Sequence, residues 1–240
     1  MVGDVACYQD RLEDARDAFR KQLVRASSVD DSIGVVDGVA GEAVALAYQG
    51  RFDLAVELTQ DLSRLAANIG APTYRAYAIY ATGEAMVAEN PKESAALLEQ
   101  AAELAGSVNN QFIQALARTS RGSVLSWIGR HEEAVFDLHE AAELWEGLVV
   151  PSYQWTVVQY LGAILAELGE NQDAIRLLSA AATAGKRPFA AGQSHWREAV
   201  ARLEEDPEYE LLRGEGAGLD LASATELALD RSRTATRQRR

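Results

Sequence analysis

Tyr48–Leu58 reads YQGRFDLAVEL, and three later stretches repeat its pattern: AENPKESAALL at Ala88–Leu98, WIGRHEEAVFDL at Trp127–Leu138 and ELGENQDAIRLL at Glu167–Leu178. Aligned on the turn residues Gly50, Asn90, Gly129 and Gly169, the copies are spaced by 40, 39 and 40 residues. Five residues after each turn stands an alanine: Ala55, Ala95, Ala134 and Ala174. Seven residues before it stands a small residue: Ala43, Gly83, Gly122 and Gly162. Self-similarity at such a period is the mark of a stacked repeat architecture.

The columns have a physical reading. Gly or Asn at the turn takes a left-handed conformation that ends a first helix. The small residue lies about two helical turns earlier and lets a partner helix approach. The alanine does the same from the second helix. Each copy is therefore a helix, a tight turn and an antiparallel helix, and one such pair cannot bury both faces, so pairs stack. Breaks at Gly70-Ala71-Pro72, Val108-Asn109-Asn110, Val150-Pro151-Ser152 and Gly185–Pro188 separate the copies. First helices are expected near 32–49, 73–89, 111–128 and 153–168, second helices near 52–69, 92–107, 131–148 and 171–185. No segment alternates with period two long enough for a sheet. The expected fold is all-α, a right-handed superhelix (α-solenoid) of antiparallel helix pairs. Extending the register back by 40 from Gly50 reaches Asp10, with Ala15 in the alanine column and Gly3 in the small-residue column. The chain thus opens inside an incomplete pair. The expectation is the C-terminal portion of a longer architecture, or a product that has lost upstream domains. The divisions are 1–31, a partial repeat; 32–188, four helix-pair repeats; 189–229, capping helices; and 230–240, a basic disordered tail.

Composition agrees with helix. Ala and Leu supply 43 and 27 of 240 residues, against 5 Pro and 18 Gly. The lone Cys7 excludes an internal disulfide framework and a Cys-based zinc site. No apolar run reaches the roughly 18 residues of a membrane span, and Met1–Gln22 has no signal-peptide core, so no membrane partner and a cytoplasmic location are expected. The net charge of −13 divides into −17 over residues 1–229 and +4 over 230–240. An acidic body argues against nucleic-acid binding through this region.

The turn glycine, the small residue before it and the alanine after it resemble the tetratricopeptide repeat, in copies about six residues longer than the usual ~34. Pro151–Ala181 and His195–Leu229 further resemble the C-terminal repeat region of actinobacterial regulators. Those combine an ATPase module with such repeats, many with a LuxR-type helix-turn-helix or an adenylate-cyclase domain. GEGAGLDLASATELAL resembles the element that closes the region there. The resemblance implies a regulatory module in signal transduction or transcription, with a protein segment or an ATPase module as partner. One departure stands out. The position before the small residue, usually large and apolar, holds Glu42, Thr82, Arg121 and Leu161.

Chemistry-bearing motifs are scarce. There is no GxxxxGK[ST]. Gly214–Gly218 is glycine-rich without a phosphate-binding lysine and reads as a hinge. HEEAVFDLH at His131–His139 spaces its histidines by eight, two turns apart, whereas a zinc pair needs i,i+4. Asp30–Ser32 reads as a helix N-cap. No catalytic residue, metal or cofactor is expected, and the chain reads as a non-enzyme. Aromatics on the first helices give one lead. Tyr77, Tyr80, Glu84, Arg118, Trp127 and Gln159 would share a concave surface that binds a protein segment or a small effector. The competing reading has the rings filling gaps between stacked pairs; Trp145 and Trp196 read as core. Further alternatives are a self-associating module that uses the incomplete first pair to form homo-oligomers, and a small-molecule sensor arm.

Overall fold

The computed structural model describes residues 11–186, 189 and 191–238. Gly3, Cys7 and Asp10 lie outside them. The described residues are helical, without a strand, and none of their helices is long and apolar enough to cross a membrane. Two compact units emerge: residues 1–124 with 190–192, and residues 125–189 with 193–240.

The first unit contains α1 (Leu12–Ser27), α2 (Ser32–Tyr48), α3 (Phe52–Thr59), α4 (Leu62–Ile69), α5 (Pro72–Ala85) and α6 (Pro91–Ser107). α7 (Gln111–Trp127) begins in it and ends in the second unit. The second unit continues with α8 (His131–Gly147), α9 (Pro151–Leu168), α10 (Asn171–Thr183), α11 (Arg197–Ala201), α12 (Tyr209–Ala217) and α13 (Leu221–Gln238). Short 3-10 helices cover Ala191–Trp196 and Arg202–Glu205.

The helices keep a common rhythm. Left-handed residues stand at Asp30, Gly50, Gly70, Asn109, Gly129, Val149, Gly169 and Gly185, so every interval is 20 except 39 across position 90 and 16 at the end. Seven of the turns close with the same bond, in which the amide five residues on reaches back to a helix carbonyl. The pairs are Asp31 to Ala26, Arg51 to Leu46, Asn110 to Ala105, Arg130 to Leu125, Val150 to Trp145, Glu170 to Leu165 and Lys186 to Ala181, at 2.8–3.2 Å. This bond satisfies a carbonyl that the helix end leaves orphaned. Val149 is a β-branched residue at φ 55°, a conformation that costs on the order of 1–3 kcal/mol and is held here by the bonds on either side of it.

Asn90 departs from its expected role. Its φ is −143°, and it caps α6 instead, its side chain accepting from the Glu93 amide at 3.3 Å while its own amide group donates to the Glu93 carboxylate at 2.8 Å. This reciprocal cap replaces the left-handed turn, and α5 accordingly ends at Ala85 rather than near 89. The second helix expected over 52–69 is also broken. Thr59 Oγ1 donates to the Val56 carbonyl at 3.0 Å, and the chain re-enters helix after Asp61. Asp31 caps α2 as expected, accepting from the Gly34 amide at 3.1 Å.

Packing within the first unit follows from missing side chains. A β-carbon at Gly34 would lie 2.8 Å from Ala26 Cβ, at Gly38 2.9 Å from Leu23, and at Gly41 2.3 Å from the Phe19 ring. Advancing along α2 retreats along α1, so the two run antiparallel with their backbones nearly touching. α5 and α6 pair likewise. Ser94, at the start of α6, donates to the Gly83 carbonyl near the end of α5 at 2.7 Å, while Ala105 packs with Ala76 at the opposite ends. In the second unit, Gly162 of α9 faces Leu177 and Leu178 of α10. The alanine column is buried throughout: Ala55, Ala134 and Ala174 fully, Ala95 nearly so. Trp145 and Trp196 are core, as expected.

The C-terminus differs from expectation. Residues 230–238 are not a loose tail but the continuation of α13, which packs on α8, α9 and α10. Its inward stripe is Ala224, Ala228, Ser232 and Ala235, at helical spacing and buried. Small residues give this stripe little hydrophobic contrast, which is why the arginines dominate its reading in sequence. His139 of α8 is buried under it, with Nε2 3.0 Å from Ser232 Oγ. Burial, and then nearby Arg233, lowers the His139 pKa to about 4. Gly214–Gly218 is likewise no hinge. Gly214 and Gly216 lie inside α12, and a β-carbon at Gly216 would come 2.2 Å from the Arg176 carbonyl oxygen of α10.

Two measurements check this arrangement. Gly216→Ala loses stability, by about 1–3 kcal/mol, because backbone must move to admit the methyl. Gly214→Ala, whose β-carbon meets nothing within 4 Å, gains about 0.5–1 kcal/mol from helix propensity. Urea midpoints that shift the same way for both would refute the packing of α12 on α10. His139 is held neutral in the fold, whereas in the unfolded chain it titrates near 6.5. Its contribution is present above pH 6.5 and is lost as pH falls toward about 4. The stability difference between wild type and His139→Gln therefore shrinks over that window; a pH-independent difference contradicts it.

Candidate functional site

The first unit places Tyr77, Tyr80, Glu84 and Arg118; Trp127 and Gln159 fall in the second. Tyr77 and Tyr80 stack with ring centroids 6.2 Å apart. Tyr80 and Glu84 are withdrawn from solvent, at 2% and 4% exposure, while Tyr77 and Arg118 are half-buried.

Glu84 is the centre of a buried polar cluster. Tyr48 at the end of α2 donates its hydroxyl to Glu84 Oε1 at 3.1 Å, and lies 3.3 Å from the Tyr80 hydroxyl. Ser120 of α7 donates to the same carboxylate oxygen. One carboxyl thus joins α2, α5 and α7. Burial raises its pKa, and the three hydroxyls only partly offset that. Arg121, buried at the position where the repeat pattern has an apolar residue, reaches Glu99 of α6 at 3.0 Å. Glu42, at the equivalent position on α2, is also buried, and burial raises its pKa against the opposing charges of Arg20 and Arg16.

A second carboxyl is handled the same way in the second unit. Ser126 donates to Glu167 Oε2 and accepts from Trp196 Nε1 at 3.0 Å. His131 Nδ1 lies 3.7 Å from that carboxylate oxygen. Burial raises the Glu167 pKa, against hydrogen bonds from Ser126 and Trp196. Beside it, Trp127 lies flat on His195, with centroids 5.3 Å apart and planes within 7°. His195 leans on Trp196 at 4.5 Å, and Trp196 on Tyr160 at 4.7 Å. Trp127 keeps 39% of its surface exposed, and Gln159 is half-buried.

A nucleophilic serine needs a base on its hydroxyl proton. Here the Ser126 hydroxyl donates to Glu167 Oε2, the same oxygen that His131 Nδ1 approaches at 3.7 Å. Among the described residues, no group of three or more His, Cys, Asp or Glu could hold a metal ion.

Tyr48, Ser120, Ser126 and His195 belong to these clusters without having been singled out as site residues. Ser120 and Ser126 do not stand out in sequence, because α7 also carries Gln111, Gln114, Arg118, Thr119, Arg121 and Ser123.

Glu84 yields a pH test. The unfolded chain ionises near 4.5, and the fold holds the proton more tightly. Raising pH above 4.5 therefore favours unfolding until Glu84 ionises in place. The stability of wild type relative to Glu84→Gln falls across that range and is flat below it. Urea titrations that show the opposite slope would remove Glu84 from the buried position. No protein-family model matches the chain, and no curated protein matches it significantly in sequence.

Proposed function

We propose that the chain is a tetratricopeptide-like repeat module whose helix pairs stack into a right-handed superhelix, and that it serves a regulatory protein by binding a protein segment without catalysis. The 20-residue rhythm of left-handed turns and the buried alanine column support the repeat reading. The observation that carries the binding reading is Trp127. Trp145 and Trp196 are spent in the core, yet this indole offers 39% of its surface to solvent. Its orientation is fixed by the flat stack on His195. Aromatic anchors with a preset rotamer lose little entropy on binding and dominate many interfaces. The surface in the second unit is Trp127 with Gln159; in the first it is Tyr77 with Arg118. Tyr80 and Glu84 act beneath it, fixing the helices that carry Tyr77.

Selection of displayed peptides on the purified chain tests this. Enriched peptides are expected to bind Trp127→Ala at least about tenfold more weakly, at an unchanged melting temperature. Peptides that bind Trp127→Ala and Arg118→Ala as well as wild type, or a selection that enriches nothing, would sink the reading.

A further inference from the structure

We propose that a groove in the second unit, formed by α10, α11, the 3-10 turn Arg202–Glu205 and α12, docks a basic amphipathic helix of a partner protein. The groove is separate from the Trp127 surface and encloses about 610 Å³. Half-buried Leu178, Val200 and Tyr209 give it apolar walls, over a floor of buried Ile175 and Leu203. The groove exists because its far wall is short. α10 runs for 13 residues, but it is faced by the 5-residue α11 and the 9-residue α12. These cannot cover α10 along its length, so Leu178 stays half-buried and Ala182 exposed.

Charge decides the occupant. The chain reads EEDPEYE over residues 204–210, five acids in seven positions. Glu204 and Glu210 line the groove itself, and Glu204, Glu205, Glu208 and Glu210 are exposed. Arg213 is the single cation in the lining, and Glu210 already engages it at 2.7 Å. An apolar floor with a carboxylate rim matches a helix that carries apolar residues at i, i+3, i+4 and i+7 on one face and Lys or Arg beside them. An acidic partner would meet like charge, and an uncharged one would leave the rim unused. The arginine-rich end of α13 from a second copy is a poorer match, because its small apolar stripe is already buried within its own unit.

The probe is a fluorescein-labelled peptide of about four helical turns, with leucines on one face and lysines elsewhere. One control replaces each lysine by glutamate; another scrambles the leucines off a common face. The basic amphipathic peptide is expected to bind with micromolar affinity, weakening as salt is raised. Ala182→Trp, which fills the groove from an exposed lining position, should weaken it at least about tenfold. Thr183→Arg, a second exposed lining position, should do the same through charge. The pair Glu204→Gln/Glu210→Gln should also weaken it, whereas Glu143→Gln/Glu146→Gln, which removes equal charge from the exposed side of α8, should not. Circular dichroism melts check that each variant folds. Absence of binding overturns the proposal, as does equal binding of either control peptide or equal loss from both glutamate pairs. A dimer in solution that Ala182→Trp dissociates would assign the groove to a second copy and overturn it too.

Discussion

The separation of two helix backbones where one of them carries no side chain governs this fold. At Gly38 a β-carbon would stand 2.9 Å from the Leu23 backbone, and at Gly216 2.2 Å from a carbonyl oxygen of α10. Helix pairs usually lie 8–10 Å apart according to the residues at the crossing, and small residues select the near end of that range. Close approach compensates for what alanine and glycine lack. Each buries little apolar area, so the hydrophobic gain per residue is small. Alanine, however, loses no rotamer freedom on folding and is the best helix former. A chain with 43 alanines therefore draws part of its cohesion from many backbone-level contacts, beside large buried side chains such as Trp145, Trp196 and Leu138.

Packing of small residues fixes distance well and register poorly, since one alanine can replace another after a slip of one helical turn. The buried carboxyls supply what that packing lacks. Glu84 accepts from Tyr48 and Ser120, which stand on different helices, and a slip of α5 by one turn, about 5.4 Å, would separate it from both. Glu167 is held by Ser126, itself held by Trp196, so the 3-10 segment is tied to α7 and α9 at one hydroxyl. Burial raises the pKa of both carboxyls, which means that desolvation outweighs the hydrogen bonds they receive. Such groups add little net stability, and we assign them the role of specifying one alignment among several.

The sequence reveals the turns because glycine is the residue that accepts φ near +77° at no steric cost, and Gly50, Gly129 and Gly169 all take it. It reveals the alanine column because the period survives in an otherwise variable text. Asn90 misleads because asparagine serves both left-handed turns and N-caps, and only Glu93 three residues on distinguishes the two. Gly216 misleads because glycine at a hinge and glycine under a crossing helix look alike without the partner, here Arg176, forty positions earlier. The candidate surface is legible in part for the same reason. Spacing puts Tyr77, Tyr80 and Glu84 on one face of α5. It does not say that Tyr48 and Ser120 close over Tyr80 and Glu84 and leave Tyr77 outside.

Val149 shows where regular repetition outweighs residue preference. Its neighbours Val150 and Pro151 open α9, and proline as the first helical residue disfavours helix at the position before it. The chain must therefore leave α8 and enter α9 within three residues. The available route is the bond from the Val150 amide to the Trp145 carbonyl, which forces the intervening residue into left-handed backbone. Trp145 anchors the other end, fully buried and stacked on Tyr153 at 4.2 Å. The aromatic stack fixes the ends of the two helices, those ends fix the turn, and the turn imposes its conformation on a valine that would otherwise avoid it. The same order of causes, packing first and local preference second, explains why the arginine-rich end of α13 is helical: Ala228, Ser232 and Ala235 have a surface to cover, and the arginines are carried along on the outer face.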